Sequence, residues 1–309
     1  MSRLLIYLTF LLIGGLSSCT DHRIPAVTPG STTTRLRVKT ITQDLPNNIA
    51  KVSAFKYDAQ NRLSSILAYQ TPDSTVSDIQ YSTYQYDGQN RLTGLRREAV
   101  RYPRGSGSNR VEEYVYTYNG AGQLAGINYI NGFSLTFAYN GSNQLMSSYR
   151  VSYSGLSLLG RDFFTFTGRN LTSLRSNINL PTRGSGPEGT SITETTYMHD
   201  EKANPFYGVF VIPDPLSGFI NLQFGPGSVQ TYFGGIGNAL TLSQNNVLTE
   251  VSNNNSTFAG TSQSNTVSST YQYQYNAASL PTVRTKTTTS TSPGSTTTVE
   301  TLRFEYESY

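Results

Sequence analysis

Residues 55–66 read FKYDAQNRLSSI, and residues 84–95 read YQYDGQNRLTGL. The same pattern returns as YTYNGAGQLAGI from Tyr116 and FAYNGSNQLMSS from Phe137. It runs aromatic, any residue, aromatic, Asp or Asn, two loop residues, Asn or Gly, Arg or Gln, Leu. Aromatics at i and i+2 share one face of a strand and mark its buried side. Asp58, Asp87, Asn119 and Asn140 then sit where a side chain closes an Asx-type turn. Three residues later come Asn61, Asn90, Gly122 and Asn143, the residue types that tolerate a left-handed backbone at the end of a hairpin loop. Leu63, Leu92, Leu124 and Leu145 restart an inward-facing strand. The repeat is therefore a β-hairpin corner.

Asp58 to Asp87, Asp87 to Asn119 and Asn119 to Asn140 are 29, 32 and 21 residues apart. A solenoid would keep its period better. A string of hairpins with unequal loops on the opposite edge fits, as RREAVRYPRGSGSNRVEEYVYTY (96–118) illustrates: two strands about a polar, glycine-rich loop. FTFTGRNLTSL from Phe164 and YQYNAASLPTV from Tyr273 read as shorter variants lacking one loop residue. TTYMHDEKANPF from Thr195 reads as a partial copy, and the threonine-rich C-terminal stretch as a solvated edge hairpin about Ser-Pro-Gly. The fold class expected is all-β: an antiparallel meander of hairpins forming one large curved or barrel-like sheet. Tyr, Phe and Leu face inward, and Thr, Ser, Gln and Asn face water. Closure into a barrel stays open at this point.

The corner pattern resembles the YD repeat of RHS-type proteins, in which such hairpins build a large curved β-sheet. It is similar also to a group of lipidated envelope proteins of the Bacteroidetes that carry degenerate YD-like hairpins in a domain of unknown function with a porin-like fold. The segments YMHDEKANPF, YQYNAASLPTV and RFEYE carry that second likeness. The resemblance covers roughly residues 50–175 and 270–309. It implies a fold and an envelope address rather than an activity, and the toxin encapsulation of true RHS shells does not carry over.

The N-terminus points the same way. Arg3 precedes the apolar run LLIYLTFLLI (4–13), which is too short to span a bilayer and reads as an export signal. The ending LSSC resembles a lipobox, which implies a diacylated Cys19 as the mature N-terminus. Cys19 is the single cysteine of the chain, so an internal disulfide is impossible. The organisation expected is a signal peptide over 1–18, a flexible Pro/Gly/Thr tether over 19–35 and one YD-like domain over 36–309. The membrane is thus a partner through the N-terminal lipid. The expected location is the outer membrane, with the periplasmic and cell-surface faces both open.

A net charge of +4, with basic residues scattered rather than striped, excludes a nucleic-acid binder. A membrane-spanning barrel is disfavoured by RFEYESY: in register from Tyr309, Glu307, Glu305 and Arg303 would face lipid. No metal or cofactor is expected. His199, within His199-Asp200-Glu201, lacks recognisable partners and reads as a turn residue. Glu112, Glu113, Glu194 and Glu250 read as solvated faces. Residues 205–250 are apolar and rich in Gly and Pro, and read as core strands and tight turns. Exposed aromatics there, Phe206, Tyr207, Tyr232 and Phe233, are candidates for ligand contact. Asp73-Ser74-Thr75 matches a short O-glycosylation pattern but reads as a plain turn. The function expected is a non-enzymatic binding or scaffold module for an envelope glycan or partner protein. The alternative is a polysaccharide-active enzyme, with paired acids about 5–10 Å apart inside the sheet.

Overall fold

In the structure, a computed structural model, residues 28–72, 78–101, 110–129, 132–152, 159–180, 189–209, 238–291 and 295–309 are described. The strands are β1 (Gly30–Ser31), β2 (Leu36–Asp44), β3 (Ala50–Tyr57), β4 (Leu63–Thr71), β5 (Asp78–Tyr86) and β6 (Leu92–Arg101). Next come β7 (Arg110–Tyr118), β8 (Leu124–Tyr129), β9 (Phe133–Tyr139), β10 (Leu145–Ser152), β11 (Leu159–Thr167) and β12 (Asn170–Leu180). The last five are β13 (Gly189–Ala203), β14 (Asn245–Phe258), β15 (Thr261–Tyr275), β16 (Pro281–Ser290) and β17 (Thr296–Ser308). A short 3-10 helix, Asn238–Leu242, precedes β14.

From β2 to β17 each strand pairs antiparallel with the next in sequence, and β17 pairs back onto β2 with Phe304 opposite Ile41. The sheet therefore closes into a 16-stranded barrel. The C-terminal threonine hairpin is part of that wall rather than an edge. The two-residue β1 folds onto the start of β2, with Gly30 opposite Arg37. The Thr28 hydroxyl donates to the Asn61 carbonyl, and the Gly30 amide donates to the Pro205 carbonyl at 2.6 Å. The expected tether thus joins the folded body from Thr28, because its last residues find backbone partners.

Side chains alternate as the pleat requires. On β17, Leu302 and Phe304 are buried, while Arg303 and Glu305 are exposed. On β15, Tyr271 is buried between exposed Thr270 and Gln272. The inward set Val38, Ile41, Phe55, Leu63, Ile66, Tyr84, Leu95, Tyr116, Ile127, Leu135, Leu174 and Phe304 forms one core cluster. It fills the end of the barrel that carries the repeated corners. The outer face bears ion pairs instead: Arg303 to Asp44 at 2.8 Å, and Arg96 to Glu98 at 2.9 Å. Among them stand exposed apolar side chains such as Val115, Met198 and Val299.

The wall is uneven. Strands β7 to β10 run 9, 6, 7 and 8 residues, whereas β13, β14 and β15 run 15, 14 and 15. One side of the barrel therefore rises past the packed end as a tall wall of Ser, Thr, Asn and Gln.

Candidate functional site

The corners build the packed end, and they interlock. Asp58 Oδ1 accepts the Gln60 and Arg62 amides at 3.0 and 2.8 Å, and Asp87 Oδ1 accepts the Gln89 and Arg91 amides, both at 2.9 Å. Asn119 and Asn140 bond their own loops in the same way. Asn61, Asn90 and Asn143 hold φ of 64°, 62° and 62°, and Gly122 holds 77°. Burial works to raise the Asp58 pKa, but the loop amides and the Arg62 guanidinium outweigh it, and the net shift is downward. Asp87 is lowered chiefly by the Arg91 amide.

Arg62 and Gln123 each reach the left-handed residue of the next corner, and Arg37 of β2 reaches that of the first. Arg37 Nη1 donates to Asn61 Oδ1 at 3.0 Å, Arg62 Nη1 to Asn90 Oδ1 at 3.0 Å, and Gln123 Nε2 to Asn143 Oδ1 at 3.2 Å. The Arg62 and Arg91 guanidiniums lie 4.7 and 4.8 Å from the ring centres of Tyr86 and Tyr118. Those two tyrosines, and Tyr139 and Tyr306 likewise, donate to backbone carbonyls: Tyr86 to Leu63 at 2.7 Å, Tyr118 to Leu92 at 2.8 Å, Tyr139 to Leu124 at 2.9 Å and Tyr306 to Pro281 at 2.8 Å. Burial pushes all four phenols far up, so each stays protonated as a donor. The constancy of Arg or Gln after the left-handed residue was the sequence signal for this relay.

The variant corners differ from expectation. YQYNAASLPTV keeps the full loop: Asn276 closes on the Leu280 carbonyl, with Leu280 in the Arg position and Ser279 left-handed at φ 59°. Thr167 and Asn170 are joined by only Gly168 and Arg169. The corner after β13 carries the largest change. The Asn204 amide donates to the Gln244 carbonyl at 2.8 Å, the bond that Asp58 makes with Arg62 elsewhere. Residues 205–243 are thus inserted inside one corner.

The described ends of that insertion, 205–209 and 238–243, plug the packed end. Phe206 is 1% exposed and lies 6.3 Å from Phe304 between ring centres; Val209, Ala239 and Leu242 are buried with it. Phe206 is therefore a core residue and not an exposed ligand contact, because the insertion turns back into the barrel at Asn204. Tyr207 is half-buried beside it, and Tyr232 and Phe233 lie outside the described residues, as do Cys19 and Asp73-Ser74-Thr75. His199 lies in β13 rather than in a loop, with Nε2 3.0 Å from Ser243 Oγ. Burial lowers its pKa, opposed by Asp200. Asp200 accepts the Asn246 amide at 3.1 Å and the Tyr275 hydroxyl. Both residues pin the insertion's exit, and no metal-like cluster of His, Cys, Asp and Glu exists among the described residues.

Beyond the plug and the aromatic core, the inward face changes character. Arg97 pairs with Glu112 at 2.9 Å, and Tyr114 donates to the same carboxylate at 2.6 Å. Across the barrel, Arg284 pairs with Glu300 at 2.6 Å, and Gln43 donates to Glu300 at 3.1 Å. Tyr271 donates to Glu250 at 2.6 Å, with Lys286 Nζ 3.7 Å from that carboxylate. Burial and the Glu250 charge together raise the Tyr271 pKa far above 10. These side chains point inward by register, yet 19% of Glu112, 21% of Glu250, 23% of Lys286 and 30% of Glu300 is accessible. They face the inside of the barrel and remain partly accessible to solvent. Glu112 and Glu250 are thus not outer solvated residues; Glu113 and Glu194 are. Farther along, the same face carries Thr195 bonded to Ser252, Asn254 to Thr193, and Ser269 to Thr288. Sequence reasoning missed this belt because its acids come from strands whose inward register shows only once the sheet has closed.

No family model and no curated protein matches the sequence. Solved structures do match the fold. A porin-like protein from Bacteroides uniformis ATCC 8492 aligns with a TM-score of 0.50 at 13% identity, over 87% of this chain and 98% of that one. A porin-like protein from Bacteroides vulgatus ATCC 8482 covers the same shares at 14% identity with a TM-score of 0.37. The TcdB2-TccC3-TEV complex aligns over 83% of this chain but 16% of its own, with a TM-score of 0.29 at 11% identity. The likeness to the first of these is one of fold alone.

Proposed function

We propose that this chain is a lipid-anchored protein of the bacterial cell envelope, held through Cys19, whose barrel is a non-enzymatic binding module with its ligand in the lumen. The partly accessible belt of Glu112, Glu250, Lys286 and Glu300 above a plugged, aromatic end carries this reading. A closed floor with polar walls makes a chamber, and concave sites with a few convergent polar groups are where ligands bind. The charged exterior suits a barrel tethered beside a membrane rather than inserted in it. Several acyl chains on one cysteine would hold it there stably.

The test has two arms. Cells grown with radiolabelled palmitate should label the wild-type chain, and the Cys19→Ala variant should lose label and membrane association together. An unlabelled wild-type chain would overturn the anchor. For the lumen, the chain has no native Trp, so Val267→Trp on the inner face of β15 gives a single reporter. Soluble envelope polysaccharide or peptide should shift its emission without being converted to product. A steady release of cleaved product would favour the hydrolase reading instead.

A further inference from the structure

Building on the lumen reading above, we propose that the tall wall of the barrel holds a binding site for a neutral, polyhydroxylated glycan, centred on Glu250, Tyr271 and Lys286. The three residues stand on neighbouring strands β14, β15 and β16 and face inward, with Tyr271 opposite Lys286 in register. Tyr271 is almost fully buried and donates to Glu250, which orients one carboxylate oxygen. Lys286 approaches the same oxygen at 3.7 Å and lies 5.4 Å from the Tyr271 ring centre. The carboxylate and ammonium are both about a fifth accessible, so each keeps bonding capacity turned to the lumen.

Charge decides the ligand class. Glu250 is balanced by Lys286, and the neighbouring Glu300 by Arg284. This patch carries no net charge, so an anionic or cationic ligand would have to break a pair to gain one, leaving a partly desolvated ion behind. A neutral hydroxyl breaks no pair: it donates to the Glu250 carboxylate and accepts from Lys286 at the same time. The wall beyond the patch supplies the same chemistry. Ser252, Asn254, Ser269 and Thr288 face inward there, and from Glu250 to Asn254 the strand climbs about 13 Å. Hydroxyl and amide groups along that height match a chain of sugar rings and give an apolar ligand little to bury against.

The experiment uses the full lipidated chain carrying Val267→Trp, purified in detergent, with its emission titrated against four compounds. These are maltohexaose, mannohexaose, a hexagalacturonate and a muropeptide. The expected result is saturable binding of a neutral hexasaccharide that changes less than twofold between 50 and about 500 mM salt. Lys286→Met, and separately Glu250→Gln, should weaken it at least tenfold while thermal unfolding stays within a few degrees of the parent. Ser268→Ala on the outer face should change nothing. Binding of the hexagalacturonate or the muropeptide alone would overturn the neutral-glycan site and leave the lumen reading standing. Silence toward all four would overturn both. Binding of a neutral sugar that both lumen variants preserve would place it elsewhere and overturn the site.

Discussion

Asn90 is the smallest unit on which the barrel depends. Its φ of 62° lies where a side chain with Cβ costs about 1–2 kcal/mol unless a short amide offsets it. Its Oδ1 also accepts the Arg62 guanidinium. Asn90→Gly should therefore lose the inter-corner bond but keep the turn, costing about 1 kcal/mol. Asn90→Val adds β-branched strain and should cost about twice that or more; urea midpoints of the two variants check the order. At this scale the sequence was transparent. Aromatic, acid and left-handed residue each have one physical use at their spacing, so turn chemistry could be read without coordinates. The Arg and Gln at the next position were visible but unexplained, since their partners belong to a corner 28 residues away in the case of Arg62 and Asn90.

The elements are hairpins, and the tyrosine relay couples each one to its neighbour. Tyr118→Phe leaves the Leu92 carbonyl without its donor and should cost about 1 kcal/mol. The pH dependence has a definite sign. The folded phenols of Tyr86, Tyr118, Tyr139 and Tyr306 are raised above the ordinary value of about 10. Their contribution is complete below pH 10 and is lost as pH rises toward the folded values. In alkaline titration the phenolate absorbance of these four, read as the difference between the parent and their Tyr→Phe variants, should appear together with loss of β-sheet circular dichroism, not before it. The plug is the other element with a measurable role. Phe206→Ala opens a cavity in the packed end and should cost about 3–5 kcal/mol in chemical denaturation. The sequence concealed the plug because its two ends, Asn204 and Gln244, look like halves of different motifs. Only their backbone bond shows one corner split by an insertion.

For the whole molecule, the consequential contact is the seam. Strand β2 meets β17 along Leu36 to Asp44, and the Tyr309 amide donates to the Arg35 carbonyl at 3.1 Å. Closure of the sheet was left open by the sequence, since no local pattern says that a first strand and a last one will pair. Ending the chain at Ser295 would remove β17 and leave β16 and β2 with bare edges. That truncation should give aggregates rather than a monomer peak on size exclusion, as exposed edges recruit other strands. Under the proposed Cys19 anchor, the leash would set orientation. From Cys19 to Thr28 the backbone can reach about 30 Å at most, and Thr28 is fastened at the packed end. In liposomes carrying a lipid-phase quencher, a fluorophore on Gly120 should be quenched more than one on Ala259; the reverse would mean the barrel stands the other way up. The seam also makes this polypeptide a ring that happens to be cut between Arg35 and Tyr309. A linker joining those ends, with a new break at the left-handed Ala259–Gly260 turn, would be a circular permutant with the same strand neighbours. With the export signal and the Cys19 segment moved to the new N-terminus at Gly260, the proposed lipid would emerge from the tip of the tall wall, and the barrel would hang from the membrane mouth first.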